Sequence, residues 1–353
     1  MLPRLSACLG VSALILSLSA FPATGWAQLA PSPDAPPVSN APPPAPEEES
    51  VATFKLQVNL VDVFFTVKAK DGTLVPHLTK DDCTISEDKA PQKLKSFVAE
   101  TQQPITLGIL LDTSGSQQNV LPLEQDVGGQ FLQRVLRQKD EAFLLSFDVD
   151  VDLMQDYTNS PRLLTRAMNK AQINTAGGNG AAGIPGAGGG TVPTIGNPKG
   201  TVLYDAVYLA SNEKLNQETG RKAMILLTDG EDEGSDHKIQ DAIAAAQKTN
   251  VLVYVILIAD RGFYGGFGYS GFSAMKKLTE ETGGRLIDVG NNGKKLEAAF
   301  QQIEDELRTE YVASYTPTNT KLDGSFRHLG VECKGDGMKV QVRKGYYATP
   351  PQN

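Results

Sequence analysis

The sequence is poor in the side chains on which most hydrolytic and transfer chemistry depends. It has three histidines in 353 residues, His77, His237 and His328, and they fall in three separate segments. No G-x-S-x-G elbow, H-E-x-x-H pair, Walker loop or C-x-x-C occurs, so the common nucleophile, zinc and phosphate-binding signatures are all missing. A basic face is missing as well. The formal net charge of −8 argues against nucleic acid, which needs one. No polybasic stretch offers attachment to anionic lipid. Long apolar runs are scarce too: residues 9–21 form a run shorter than the roughly 20 residues of a membrane span. What remains is a globular composition, 40% hydrophobic, in a chain long enough for two domains and a linker.

The start of the chain reads as an address. Arg4 is the only charged side chain before the 9–21 run, and Gly25-Trp26-Ala27 supplies small residues for cleavage. Residues 1–27 are therefore expected to be a secretory signal peptide, an uncleaved anchor being the alternative. Leu5-Ser6-Ala7-Cys8 has the look of a lipoprotein box, but it precedes the apolar core instead of ending it. Residues 28–50, rich in Pro and Ala and then acidic, cannot bury enough apolar area to offset their ordering entropy, and read as an extended linker. The mature product is expected to be exported, to the periplasm, the cell surface or the medium, with no stable membrane span.

The chemistry concentrates in residues 107–116, LGILLDTSGS. The apolar part does not alternate, which predicts a strand buried on both faces. Asp112, Ser114 and Ser116 follow at the strand's carboxyl end, where open α/β sheets collect ligands. One carboxylate and two hydroxyls on alternate residues offer hard oxygen donors, suited to Mg2+, Mn2+ or Ca2+. Alone, this pattern is more often a loop that caps the next helix. Two distant pieces add to it. Thr201 stands just before an apolar helical pattern, and 224–230, MILLTDG, is a second buried strand ending in Asp229.

On these residues the sequence resembles the von Willebrand factor type A domain, whose metal-ion-dependent adhesion site (MIDAS) uses D-x-S-x-S, a later Thr and a later T-D-G Asp. All five positions match, at Asp112, Ser114, Ser116, Thr201 and Asp229. The resemblance implies that Ser114, Ser116 and Thr201 touch a divalent cation, Mg2+ above all, with Asp112 and Asp229 acting largely through water. It further implies an open position that accepts an Asp or Glu side chain from a partner protein.

Residues 104–310 alternate strand and helix, as a doubly wound, mostly parallel sheet with helices on both faces requires. Helical spacing marks 120–136, 241–249 and 294–308. Ser160-Pro161 opens another helix, with Ser as cap and Pro in the first turn. Strands are expected at 143–147 and 149–153, antiparallel to each other, and at 251–259 and 285–289. Two insertions stand out. Residues 175–200 are glycine-rich and lead into Thr201, so they should lie on the metal face. Residues 261–272, RGFYGGFGYSGF, read either as a mobile loop or as an aromatic contact surface. The acidic run Glu231-Asp232-Glu233 with Asp236 reads as a solvated loop and helix start, or as a second cation site.

Residues 52–100 and 311–348 each show strand patterning but too little of it for a domain. In the first, 56–60 and 61–67 alternate in opposite phase, which predicts a bulge near 60–61, Asp71-Gly72 is a turn signal, a second strand is expected near 83–86, and Glu87-Asp88-Lys89 is expected to turn into a third ending near Phe97. Two incomplete β segments around one α/β domain predict a small split β-sandwich with the α/β domain inserted. The whole arrangement resembles the secreted bacterial VWFA-related acidobacterial family, on V-N-L-V at 58–61, L-T-x-x-D at 78–82, E-D-x-x-P-Q at 87–92 and R-K-G-Y-Y at 343–347. After signal cleavage only Cys83 and Cys333 remain, one in each half. A disulfide between them and a pair of buried free thiols are both open readings. The functions carried forward are a cation-dependent protein-binding module, a metal-dependent hydrolase acting on an envelope substrate, for which no general base is evident, and an envelope component whose metal is structural.

Overall fold

The computed structural model describes residues 60–99, 103–174, 200–258 and 271–350. The signal peptide, the linker, residues 175–199 of the glycine-rich insertion, residues 259–260 and residues 261–270 of the aromatic insertion lie outside them, as do the strand residues before Leu60. Among the described residues, no helix is long and apolar enough to cross a membrane.

In chain order the elements are β1 (Val61–Lys68), β2 (Cys83–Glu87), β3 (Ala90–Gln92), β4 (Leu94–Ala99), β5 (Ile105–Asp112), α1 (Leu121–Val135), β6 (Glu141–Phe147), β7 (Val151–Thr158) and α2 (Pro161–Met168). There follow α3 (Leu203–Leu209), β8 (Arg221–Thr228), α4 (Ile239–Lys248), β9 (Val251–Leu257), α5 (Gly271–Thr282), β10 (Leu286–Asp288), α6 (Gly293–Arg308), β11 (Tyr311–Tyr315), β12 (Phe326–Cys333), β13 (Lys339–Val342) and β14 (Gly345–Tyr347). Helix α5 had no counterpart in the sequence reading; Gly271 and Phe272, assigned there to the aromatic insertion, are its first residues. Ser160 stands at the cap position of α2 without a side-chain capping bond, its own N–H donating to Thr158 Oγ1.

The central layer is a six-stranded sheet in the order β10-β9-β8-β5-β6-β7. All its pairs are parallel except β6 with β7, which the short connection makes antiparallel. Successive residues of each strand feed opposite cores. Ile109, Leu111, Ile225, Leu227, Tyr254 and Ile256 pack with α1, α2 and α6. Leu110, Met224, Leu226, Val253 and Val255 pack with α3, α4 and α5. Both faces are covered, which is why these strands read as continuous apolar runs. Phe131 of α1 stacks on Phe300 of α6 at 4.4 Å and ties the outer helices of the first face together.

Strands from the two ends of the described chain interleave in two four-stranded antiparallel sheets, β13-β1-β11-β4 and β14-β12-β2-β3. Their shared core holds Val63, Phe65, Ile85, Tyr311, Tyr315 and Val331. The predicted third strand ending near Phe97 is in fact two, β3 and β4, which go to different sheets. The turn before β3 places Asp88 and Lys89 at positive φ. Arg327, 1% exposed, is neutralised inside by Glu87 at 3.1 Å, and Glu87 also accepts the hydroxyls of Tyr315 and Tyr346 at 2.7 Å each. The helix-to-strand passage from α6 into β11 is clamped by Glu306, whose Oε1 takes Lys68 of β1 and Arg285, each at 2.7 Å.

Cys83 and Cys333 stand directly opposite each other in the β2–β12 register and form a disulfide, with Cα atoms 4.1 Å apart. The bond joins the two ends across a sequence separation of 250 residues. Chain entropy for a loop of that size corresponds to roughly 5 kcal/mol at most, the mechanism being model-dependent. The double variant Cys83→Ser/Cys333→Ser is expected to melt several degrees lower than the oxidised protein in a thermal scan. Non-reducing peptide mapping should recover the Cys83–Cys333 peptide pair, and two freely alkylatable thiols would contradict the assignment.

Candidate metal centre

The strand order reverses beside β5: β6 and β7 lie to one side, and β8, β9 and β10 to the other. Crevices at such reversals, outside the carboxyl ends of the strands, are where doubly wound sheets bind ligands. β5 and β8 run in parallel register up to the pair Leu111–Leu227, so the next residues, Asp112 and Thr228, emerge side by side. The Thr228 hydroxyl donates to Asp112 Oδ2 at 2.6 Å. The other oxygen, Oδ1, accepts the Ser114 N–H at 3.0 Å and the Ser114 hydroxyl at 2.5 Å. Ser114 Oγ and Ser116 Oγ are 3.1 Å apart, on the short turn that leads toward α1.

Asp112 has no exposed surface, and Asp229 is 2% exposed. Burial, reinforced by the charge of Asp229, pushes the Asp112 carboxyl up to about 7, against the downward pull of its bonds from Ser114 and Thr228. Asp229 follows Thr228 directly and accepts the N–H of Glu231 at 3.1 Å. Thr201, also buried, is placed by backbone on both sides. Its carbonyl accepts the Glu233 N–H at 2.9 Å, and the Val202 N–H donates to the Asp148 carbonyl at 2.8 Å. The structure thus brings Asp112, Ser114 and Ser116 together by direct hydrogen bonds and Asp229 by proximity of charge. Thr201 is set at the same end of the sheet by the loops around it.

Further residues complete this end, and Asp148, Asn174 and Asp205 among them were not singled out in the sequence. Asp148, just after β6, accepts the Thr113 hydroxyl at 2.8 Å and the Asn174 side-chain amide at 3.0 Å. Gly230 adopts φ +84°, and a Cβ on Gly271 would lie 2.6 Å from the Gly230 carbonyl carbon, so the T-D-G turn and the start of α5 need glycine at both places. The acidic run serves helix starts: Asp232 accepts the Tyr204 N–H of α3 at 3.1 Å, and Glu231 accepts the Gly271 N–H of α5 at 2.9 Å. Asp205 accepts His237 Nδ1 at 2.7 Å, and His237 stacks on Tyr208 at 3.7 Å. Both insertions open and close here. Asn174 N–H donates to Thr113 O and Gly200 N–H to Glu233 O, while Ile258 N–H donates to Thr228 O and Gly271 N–H to Glu231.

The six-stranded sheet covered by helices on both faces is a doubly wound α/β architecture. The chain is similar to a von Willebrand factor type A protein from Catenulispora acidiphila, at 11% identity over 84% of this chain and 74% of that one, with a TM-score of 0.44. It is similar to proximal thread matrix protein 1 of the mussel byssus with a zinc-occupied MIDAS motif, at 15% identity over 63% of this chain and half of that one, with a TM-score of 0.45. It is also similar to BatB from Bacteroides thetaiotaomicron, at 18% identity over 58% of this chain and 99% of that one, with a TM-score of 0.42. No protein-family model and no curated protein sequence matches the chain.

The donor set at this end of the sheet fits a hard divalent cation. Two ligands at right angles around Mg2+ stand about 3.0 Å apart, close to the Ser114–Ser116 spacing of 3.1 Å. The Ser114 hydroxyl gives its proton to Asp112 and keeps its lone pairs for another partner. Among the described residues, no group of three His, Cys, Asp or Glu side chains converges as a metal set, so hydroxyl oxygens are integral to this one. The raised Asp112 carboxyl gives a pH signature. The folded state holds this proton more tightly than the unfolded state, so the contribution of Asp112 to stability falls as pH rises from about 3.8 to about 7. In EDTA, Asp112→Asn should gain in melting temperature relative to the unsubstituted protein across that window, and the gain should level off above it. A difference independent of pH would show that Asp112 ionises normally.

Proposed function

We propose that the chain is an exported, non-enzymatic protein-binding module that holds a divalent cation and uses it to engage an acidic side chain of a partner protein. Ser114, Ser116 and Thr201 are the direct ligands in this reading, and Asp112 and Asp229 act through water. The observation that carries it is the pairing of two buried aspartates with two hydroxyls 3.1 Å apart at the reversal of the sheet. Two buried carboxylates repel each other when both are ionised, and a cation is the simplest group that offsets both. When bound, it supplies an electrophilic centre for an anionic oxygen. Asp112 fixes the Ser114 hydroxyl by accepting its proton, and Thr228 fixes Asp112 in turn, so the donors are set before any ligand arrives.

Mg2+ comes first among the cations, with Mn2+ and Ca2+ as alternatives suited to the same oxygen donors. Mg2+ or Mn2+ should raise the melting temperature of the protein, since an ion bound only by the native state stabilises it by mass action. Ser114→Ala/Ser116→Ala should abolish that rise; a double variant that responds like the unsubstituted protein would refute the assignment. Partner capture should require the cation and an Asp or Glu on the partner. Tight binding that persists in EDTA would eliminate the adhesion reading. Metal-dependent turnover lost in the double variant would favour the hydrolase.

A further inference from the structure

Glu124 lies in the first turn of α1, the helix into which the D-x-S-x-S loop leads. It has no exposed surface, and neither of its carboxylate oxygens has a hydrogen-bond partner. Buried polar atoms are almost always satisfied, and one left orphaned points to a water or an ion. A carboxylate with both oxygens orphaned is a stronger case than a single carbonyl, whether it is charged or neutral. Burial pushes the Glu124 carboxyl well above the usual carboxylate range, and the charges of Asp112 and Asp229 act on it in the same direction. A second orphan lies on the same stretch. Gln117 is fully buried and its amide nitrogen donates to Ile258 O at 3.4 Å, yet its Oε1 has no partner. Gln117 and Glu124, on the stretch that follows Ser114 and Ser116, thus leave three buried acceptor oxygens without hydrogen-bond partners.

We infer that Glu124 is a third carboxylate of the metal centre, bound to the cation through its water shell, with Gln117 Oε1 accepting from the same waters. The inference rests on the cation-binding reading above and adds a residue to it. Glu124 falls outside the five-residue motif and enters the region from α1, behind the loop. Its chemistry narrows the ligand to a hard, hydrated divalent cation: water bridges suit an ion that keeps part of its shell. Glu124 is in this sense a positioning residue whose effect is read in affinity for the ion and in stability without it.

The test uses the purified protein, Mn2+ as probe, isothermal titration for affinity and a thermal scan in EDTA. Glu124→Gln keeps the shape and removes the charge. It should weaken Mn2+ binding by ~10–100-fold, the range typical of residues that act on a metal through its ligands and waters. It should melt in EDTA at the same temperature as the unsubstituted protein or higher, because an unpartnered buried carboxylate has been removed. A residue that only packs would not give this opposition of signs. Should Glu124→Gln melt lower in EDTA, Glu124→Asp decides: partial recovery of affinity supports the role of the charge, and a loss equal to that of the Gln variant overturns it. Affinity unchanged in Glu124→Gln, with binding still abolished in Ser114→Ala/Ser116→Ala, overturns the role of Glu124 and leaves the centre standing. If the unsubstituted protein binds no Mn2+, the centre and the role of Glu124 fall together.

Discussion

A carboxylate with no exposed surface at the end of a strand covered on both faces is costly to bury, and the carboxyl end of the sheet is arranged around that cost. Asp112 is held by three hydrogen bonds, two from Ser114 and one from Thr228. Each of those donors is set by something further out. Thr228 is there because β8 runs in register beside β5. Its own oxygen accepts the Gly230 N–H, which folds the T-D-G turn back against the strand. That turn needs positive φ at Gly230 and lets Gly271 come into backbone contact, which fixes where α5 starts. The polar cluster and the packing of this end of the domain are therefore one problem with one solution.

The antiparallel sheets solve a different problem. Neither terminal segment has enough strands to cover a hydrophobic face, so each sheet takes strands from both ends of the chain. The Cys83–Cys333 bond and the Arg327–Glu87 pair lock that union from inside. Glu306 connects it to α6, and Arg221 pairs with Glu310 at 2.9 Å where α6 gives way to β11. Buried ion pairs of this kind are costly to break, since removing one partner leaves the other uncompensated. They hold the exit of the last helix in a defined position relative to the first strand.

Legibility differed by element for physical reasons. The central strands were readable because burial on both faces forces an unbroken apolar run, and the motif residues because alternate side chains of one short loop are close whatever the rest does. Helix α5 was not, since its opening glycines and aromatics have the composition of a loop, and its start is set by contact with the Gly230 turn and by Glu231. The split between β3 and β4 was missed for a similar reason: one residue, Lys93, separates strands that serve different sheets. Glu124 left a trace. It falls on the face of α1 defined by Leu121, Gly128, Phe131 and Val135, where an acid is out of place, so a stricter reading of that helix marks it as buried.

The local order of the sequence by itself determined the alternation of strand and helix, the donor chemistry of Asp112, Ser114 and Ser116, and the incompleteness of the two terminal β segments. These follow from side-chain periodicity and from residues close in the chain. Only the tertiary structure decided that Thr228 holds Asp112, that Asp229 and Glu124 are buried, and that Cys83 faces Cys333. Those outcomes depend on strand register and on which helix covers which face, and both are set by long-range packing of residues more than a hundred positions apart in some cases, such as the separation of 116 between Asp112 and Thr228. Charge and chemistry are carried by single residues, but burial, which turns an ordinary aspartate into one with a raised pKa, belongs to the assembled sheet.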